Sequence, residues 1–379
     1  MVHRRAVLRS LLGCVLAGAV PRRLLAGERG RRKLIIVQFG GGARNSETID
    51  DPSHRYIPEL WNRMIPQGTL LTNMRIEGPV VHPNSTASLL TGHWEYGDLD
   101  WTRPPAHPSL FELYRQATGA PDTAAWAFVY ASILARTGES LALRTRFAAN
   151  VVVPPTIPRT TAEEFDRWIA DAVATGSPAA EAAAIGKAAQ RARQDSRFSL
   201  DRLRSDAARA FVQERIARWK AGTGSTSHDL FLAEAAIACM DRFAPDVLAV
   251  CFGEIDCAHY GSWSRYVEAI QRTDALTFRL WQAAERHSAY RGQTLLLVLP
   301  DHGRELERPG GPGFVHHGDF YANTGADQGC RRVWMLALGP GLAGGRQISE
   351  PIPITAVAAT GLHHLGVRPS PGAQASAFP

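Results

Sequence analysis

Two apolar runs that each break into an acid and a histidine constrain this chain more than any other feature. The first, Val247-Leu248-Ala249-Val250-Cys251-Phe252, contains no charged residue and reads as a strand buried on both faces. It gives way to Glu254-Ile255-Asp256-Cys257-Ala258-His259, which sets a carboxylate and an imidazole three residues apart. An amphipathic stretch carrying Tyr266, Val267, Ile270, Leu276, Leu280 and Trp281 predicts a long helix. A second apolar run, Thr294 to Leu299, then breaks at Pro300 and delivers Asp301-His302-Gly303-Arg304. In an open parallel sheet, ligands bind beyond the carboxyl ends of the strands. Either half alone fits a solvated turn, but together they point at one place, with ligand types suited to zinc or a transition metal. Val315-His316-His317-Gly318-Asp319 adds two imidazoles ahead of another apolar run, Val333 to Leu338.

At 379 residues the chain can bury a large core. Its formal net charge of +6 is concentrated in the first 33 residues, and the remainder is close to neutral. No basic patch interleaved with aromatics appears, so nucleic acid is not an expected partner. The N-terminus reads as an export signal over residues 1–26. Arg4-Arg5 precedes a ten-residue apolar stretch, Leu11 to Val20, too short to span a bilayer. A twin-arginine signal fits this pattern and places the protein outside the cytoplasm, periplasmic or secreted. Leu11-Leu12-Gly13-Cys14 also matches a lipoprotein site, which would anchor the chain at Cys14; the alternative is a disordered basic tail. Cys239, Cys251, Cys257 and Cys330 show no disulfide framework and read as packing residues.

The chain resembles the alkaline phosphatase and sulfatase superfamily, in its outlying sulfatase-like or phosphatase-like group. The resemblance rests on Phe252 to His259, Pro300 to Arg304, His317-Gly318-Asp319, Arg332 to Gly341 and, upstream, Pro83-Asn84-Ser85-Thr86-Ala87-Ser88-Leu89-Leu90-Thr91-Gly92. It implies a three-layer α/β/α sandwich around a mostly parallel sheet, with a helical insertion. On this division 27–155 is the first part of the core, 156–227 an Ala-, Arg- and Glu-rich insertion in the position of a cap, and 228–379 the second part.

By the same resemblance, Asp256, His259 and His317 hold one divalent metal, with His316 the alternative to His317, while Asp301 and His302 contribute to a second. The His and Asp mixture favours zinc, then manganese. Arg44 and Arg304 become candidates for gripping a tetrahedral anion. Two positions depart from the family. Gly41 stands where an Asp would bind the second metal, with Glu47, Asp50 or Asp51 as substitutes from the next loop. His82 stands at the nucleophile position, with the hydroxyls of Ser85 and Thr86 three and four residues on; these are candidates for catalysis or for capping the helix. No cysteine lies there, which disfavours a formylglycine sulfatase. The expected function is hydrolysis of a small-molecule or glycan-linked phosphate ester, with sulfate or phosphonate esters second, using one tight and one weak metal site. The alternative is a member of the fold that binds a metal and a ligand or partner without turnover.

Overall fold

A computed structural model of the chain describes residues 32–96, 103–154, 200, 202–222, 227–306, 313–315, 317 and 328–378. The strands are β1 (Lys33–Gln38), β2 (Thr69–Arg75), β3 (Ala125–Val129), β4 (Asn150–Val152), β5 (Val247–Cys251), β6 (Thr294–Leu299), β7 (Arg332–Leu338), β8 (Arg346–Ile348) and the short β9 (Ile352–Pro353). They form one sheet in the order β4-β3-β5-β1-β6-β7-β2-β8, with β9 beside β2. The run from β4 to β6 is parallel, and β7 is antiparallel to both β6 and β2.

Strand β1 shows why the sheet must be covered on both sides. All six residues are buried; Leu34 and Ile36 enter one hydrophobic core, Ile35 and Val37 the other. Helices α1 (His82–Thr91), α2 (Leu110–Thr118) and α6 (Ala356–His364) cover the first face through Leu89, Phe111 and Val357. Helices α3 (Asp206–Ala221), α4 (His228–Phe243) and α5 (Trp263–Arg286) cover the second through Phe211, Phe231 and Tyr266. The result is a three-layer α/β/α arrangement around a mostly parallel sheet.

Local chemistry fixes the ends of these elements. Ser109 and Glu112 form a reciprocal capping box that starts α2. After Tyr56 the chain forms a π-helical turn, Leu60–Met64, followed by a 3-10 turn, Ile65–Gln67. Pro66 lacks the N–H that a continuing α-helix would need, and the Asp274 carboxylate accepts the amides of Glu59 and Leu60. Of the segment 156–227, the described part includes α3, whose Phe211 packs edge-on against Trp126 of β3 and Phe243 of α4. This helix therefore belongs to the layer over the sheet. The rest of that segment, the export signal and Cys14 lie outside the described residues.

Register delivers the site. Gln38 pairs with Cys251 on one side and with Leu299 on the other. Three neighbouring strands thus end level, and their continuations at Phe39, Phe252 and Pro300 leave the sheet at one edge.

Candidate metal centre

Beyond β5, the chain turns through Gly253 into a 3-10 helix, Glu254–Tyr260. Asp229, in the first turn of α4, clamps this turn by accepting the amides of Gly253 at 2.9 Å and Glu254 at 3.0 Å. The turn presents Asp256 and His259 on one side, with His259 Nε2 2.9 Å from Asp256 Oδ1. Beyond β6, Asp301, His302 and Arg304 are fully buried. His82 opens α1, and its imidazole reaches both turns, with Nδ1 2.7 Å from Asp301 Oδ2 and Nε2 3.2 Å from Asp256 Oδ2. The first contact is a hydrogen bond, whereas the second is an ion pair without hydrogen-bond alignment. His317 closes the group, its ring centroid 4.2 Å from His302 and 4.7 Å from His259.

Three of the four imidazoles are held in the same way. His259 Nδ1 lies 2.7 Å from the Val315 carbonyl, His317 Nδ1 3.0 Å from Val80, and His302 Nδ1 2.8 Å from Gly303. A carbonyl only accepts, so each Nδ1 carries the proton and each Nε2 keeps its lone pair. Metal-binding histidines are oriented by such second partners. Burial depresses His302 to about 4 and His317 well below its usual range, with neighbouring imidazoles adding to the effect. Both stay neutral, as ligands must. For His82, burial pulls downward, but Asp256 and Asp301 outweigh it and raise the imidazole to about 10. Both carboxyls are in turn held low against burial, Asp256 chiefly by His259 and His82, and Asp301 by His302 and His82.

Among the described residues two groups have metal-ligand spacing: Asp256, His259 and His317, and His82, His302 and His317. His317 belongs to both, but with Nδ1 spent on Val80 it offers one nitrogen and can serve one ion. Side-chain exposure falls from 34 % at His259 and 26 % at Asp256 to 0 % at Asp301 and His302. The group therefore opens to solvent on the Asp256–His259 side.

The remaining expected residues are placed differently. Glu47 is not at the centre: it is buried in a two-bonded pair with Arg44 (2.6 and 2.7 Å) and accepts Tyr266 Oη at 3.0 Å. That pairing corrects two expectations at once, since it takes up the carboxylate proposed as a ligand and two of the guanidinium donors proposed for an anion. Asp50 pairs with Arg332, and Asp51 accepts Ser53. Ser85 and Thr86 lie within α1, and their hydroxyls donate to the Pro79 carbonyl and to Gln38 Oε1. Neither caps the helix, whose N-cap is Val81 with no side-chain bond. Arg304 does reach the centre, its Nη2 2.6 Å from both Asp256 Oδ1 and the Gly41 carbonyl. His316 lies outside the described residues. The four other cysteines are free and buried. Asp229 was missed by sequence reasoning, because nothing local marks a helix-start acid that serves a turn 24 residues later.

Gly41 explains the missing carboxylate. Its φ is +80°, and a Cβ there would stand 2.6 Å from the Asp256 amide nitrogen and 2.9 Å from the Gly253 oxygen. Both neighbours are backbone, so the loop has settled where a side chain cannot go. Restoring the family residue with Gly41→Asp is therefore expected to destabilise the protein by at least about 1–3 kcal/mol from the strained backbone alone. It should not tighten metal binding. Chemical denaturation and zinc titration of the variant check both points, and a stable variant with tighter zinc would refute them.

No family model and no curated protein matches the chain. Solved structures do. A PsFucS1 sulfatase from Pseudoalteromonas sp. aligns over 91 % of this chain and 70 % of its own, at 15 % identity and a TM-score of 0.55. The phosphonate monoester hydrolase of Agrobacterium radiobacter aligns over 92 % and 76 %, at 14 % identity and 0.53. The alkaline phosphatase PafA aligns over 92 % and 98 %, at 12 % identity and 0.52. This is the alkaline phosphatase and sulfatase fold. Within an alkaline phosphatase-like fold, the Asp and His residues of this chain sit where open parallel sheets place their ligands, beyond the carboxyl ends of central strands.

Proposed function

We propose that the protein is an exported, metal-dependent hydrolase of phosphate esters, with sulfate or phosphonate esters the second substrate class. The observation that carries this reading is the cluster of two aspartates and four histidines at the level ends of β5, β1 and β6, with three imidazoles locked to keep Nε2 free. The fold shared with a sulfatase, a phosphonate hydrolase and an alkaline phosphatase supports a tetrahedral oxyanion ester as substrate.

Asp256, His259 and His317 would hold the principal metal, zinc before manganese. Bound there, it would supply Lewis-acid stabilisation of the charge that develops on the ester. The chain's own residues do the rest. Arg304 fixes the Asp256 carboxylate and adds a permanent positive charge beneath it. Asp229 holds the turn that carries Asp256. His259 and Asp256, the more exposed members, form the side from which an ester can approach. With no hydroxyl at position 82, the reading favours direct attack by water over an esterified side chain.

A second reading, metal and ligand binding without turnover, is favoured by the backbone at Gly41, which excludes the family carboxylate. One experiment separates the two: metal analysis of protein purified without chelator, followed by a panel of phosphate, sulfate and phosphonate esters. Metal-dependent turnover of a phosphate ester supports the first reading. Bound metal with an inert panel supports the second.

A further inference from the structure

The position of the second metal looks under-supplied, because only Asp301 and His302 come from the expected places. The distances say otherwise. Asp301 Oδ2 lies 2.7 Å from His82 Nδ1, which lies 3.0 Å from His302 Nε2, which lies 3.7 Å from Asp301 Oδ2. Ligand atoms held about 2.0–2.1 Å from one tetrahedral zinc stand roughly 3.3 Å apart, and the three edges bracket that value.

Two further observations point to a ligand. Asp301 Oδ1 is fully buried and has no hydrogen-bond partner among the described residues. Charged groups so enclosed normally pair or coordinate metals. The far nitrogen of His82 lies 3.2 Å from Asp256 Oδ2, a carboxylate on the side where a metal-bound imidazole keeps its outer partner, although the two are not aligned for a hydrogen bond. His317 is not needed, so the first metal position keeps its full set.

We propose that His82 is a metal ligand through Nδ1, its proton released to solvent as the ion binds, and completes a second site with Asp301 and His302, replacing the carboxylate that Gly41 cannot supply. This rests on the metal-dependent reading above and changes its stoichiometry from one tight ion to two. The residue at the nucleophile position thereby becomes part of the metal cage.

Zinc titration of the metal-free full-length chain against a chromophoric chelator tests the assignment. The native protein should take up two ions. The His82→Ala protein should keep one ion at native affinity and bind the second at least tenfold more weakly, and added imidazole, filling the vacated space, should restore it. Uptake of a single ion by the native protein at saturating zinc would overturn the proposal, as would two ions bound at native affinity by His82→Ala. A weakened second site that imidazole fails to restore would assign His82 to positioning Asp301 and overturn its role as ligand. Every readout is metal binding, so the result is independent of whether any ester is turned over.

Discussion

Replacing His317 with alanine is expected to remove the principal metal. Its Nε2 is the one nitrogen it can offer, and it is the most enclosed member of the Asp256–His259–His317 group. Zinc affinity at this position should fall at least tenfold, since even outer partners of such ligands are worth 10–100-fold, and gel-filtered protein should keep the second ion alone. The share of stability contributed by this ion should vanish with it, about 2.7 kcal/mol at a hundredfold excess over Kd. Thermal melting with and without chelator provides the check. Chelation should destabilise the native protein by more than the variant, which keeps only the ion held by His82, Asp301 and His302. A variant that keeps both ions and the full native loss of stability on chelation would remove His317 from the ligand set.

The largest effect on the metal-free protein is expected at Arg304. This arginine is fully buried and spends one nitrogen on both the Asp256 carboxylate and the Gly41 carbonyl. Arg304→Met keeps most of the stem volume but leaves Asp256 without its fixed counter-charge. Breaking a buried pair from one side costs about 3–5 kcal/mol, which urea denaturation in chelator would read. Added zinc should recover part of the loss, because a cation on Asp256 replaces the charge removed. A loss below about 1 kcal/mol would mean that the pair behaves as a solvent-screened contact.

Much of the fold was legible because its strands are short apolar runs bounded by glycine, proline or charge. The strand Thr294–Leu299 and the helix Trp263–Arg286 fall where the apolar run and the amphipathic pattern predict them. Asp256, His259, Asp301 and His302 were legible for the same reason, each following a recognisable strand end. Glu47 was not, because a carboxylate in a loop carries no mark of its partner, and the choice between a metal and Arg44 is settled only by packing. That Gly41 offers no carboxylate was readable, but not that its turn is closed to one. Its positive φ and its approach to Gly253 and Asp256 depend on a turn more than 200 residues away in the chain. His82 was noticed as a departure from the superfamily the chain resembles, yet its reach to both Asp256 and Asp301 follows from packing that brings the start of α1 to the turns after β5 and β6.

The place of β1 has a consequence for synthesis. The first described strand is flanked by β5 and β6, whose residues 247–251 and 294–299 leave the ribosome long afterwards. Until both have emerged, β1 has open edges on either side, a state prone to unwanted pairing. The metal cannot act as an early nucleus, because Asp256, His259, Asp301, His302 and His317 all belong to the second half of the chain. Uptake of a metal at these residues would thus be a late report that the whole polypeptide has been made and threaded correctly, and a chain cut short before residue 294 would lack both β6 and the full ligand set.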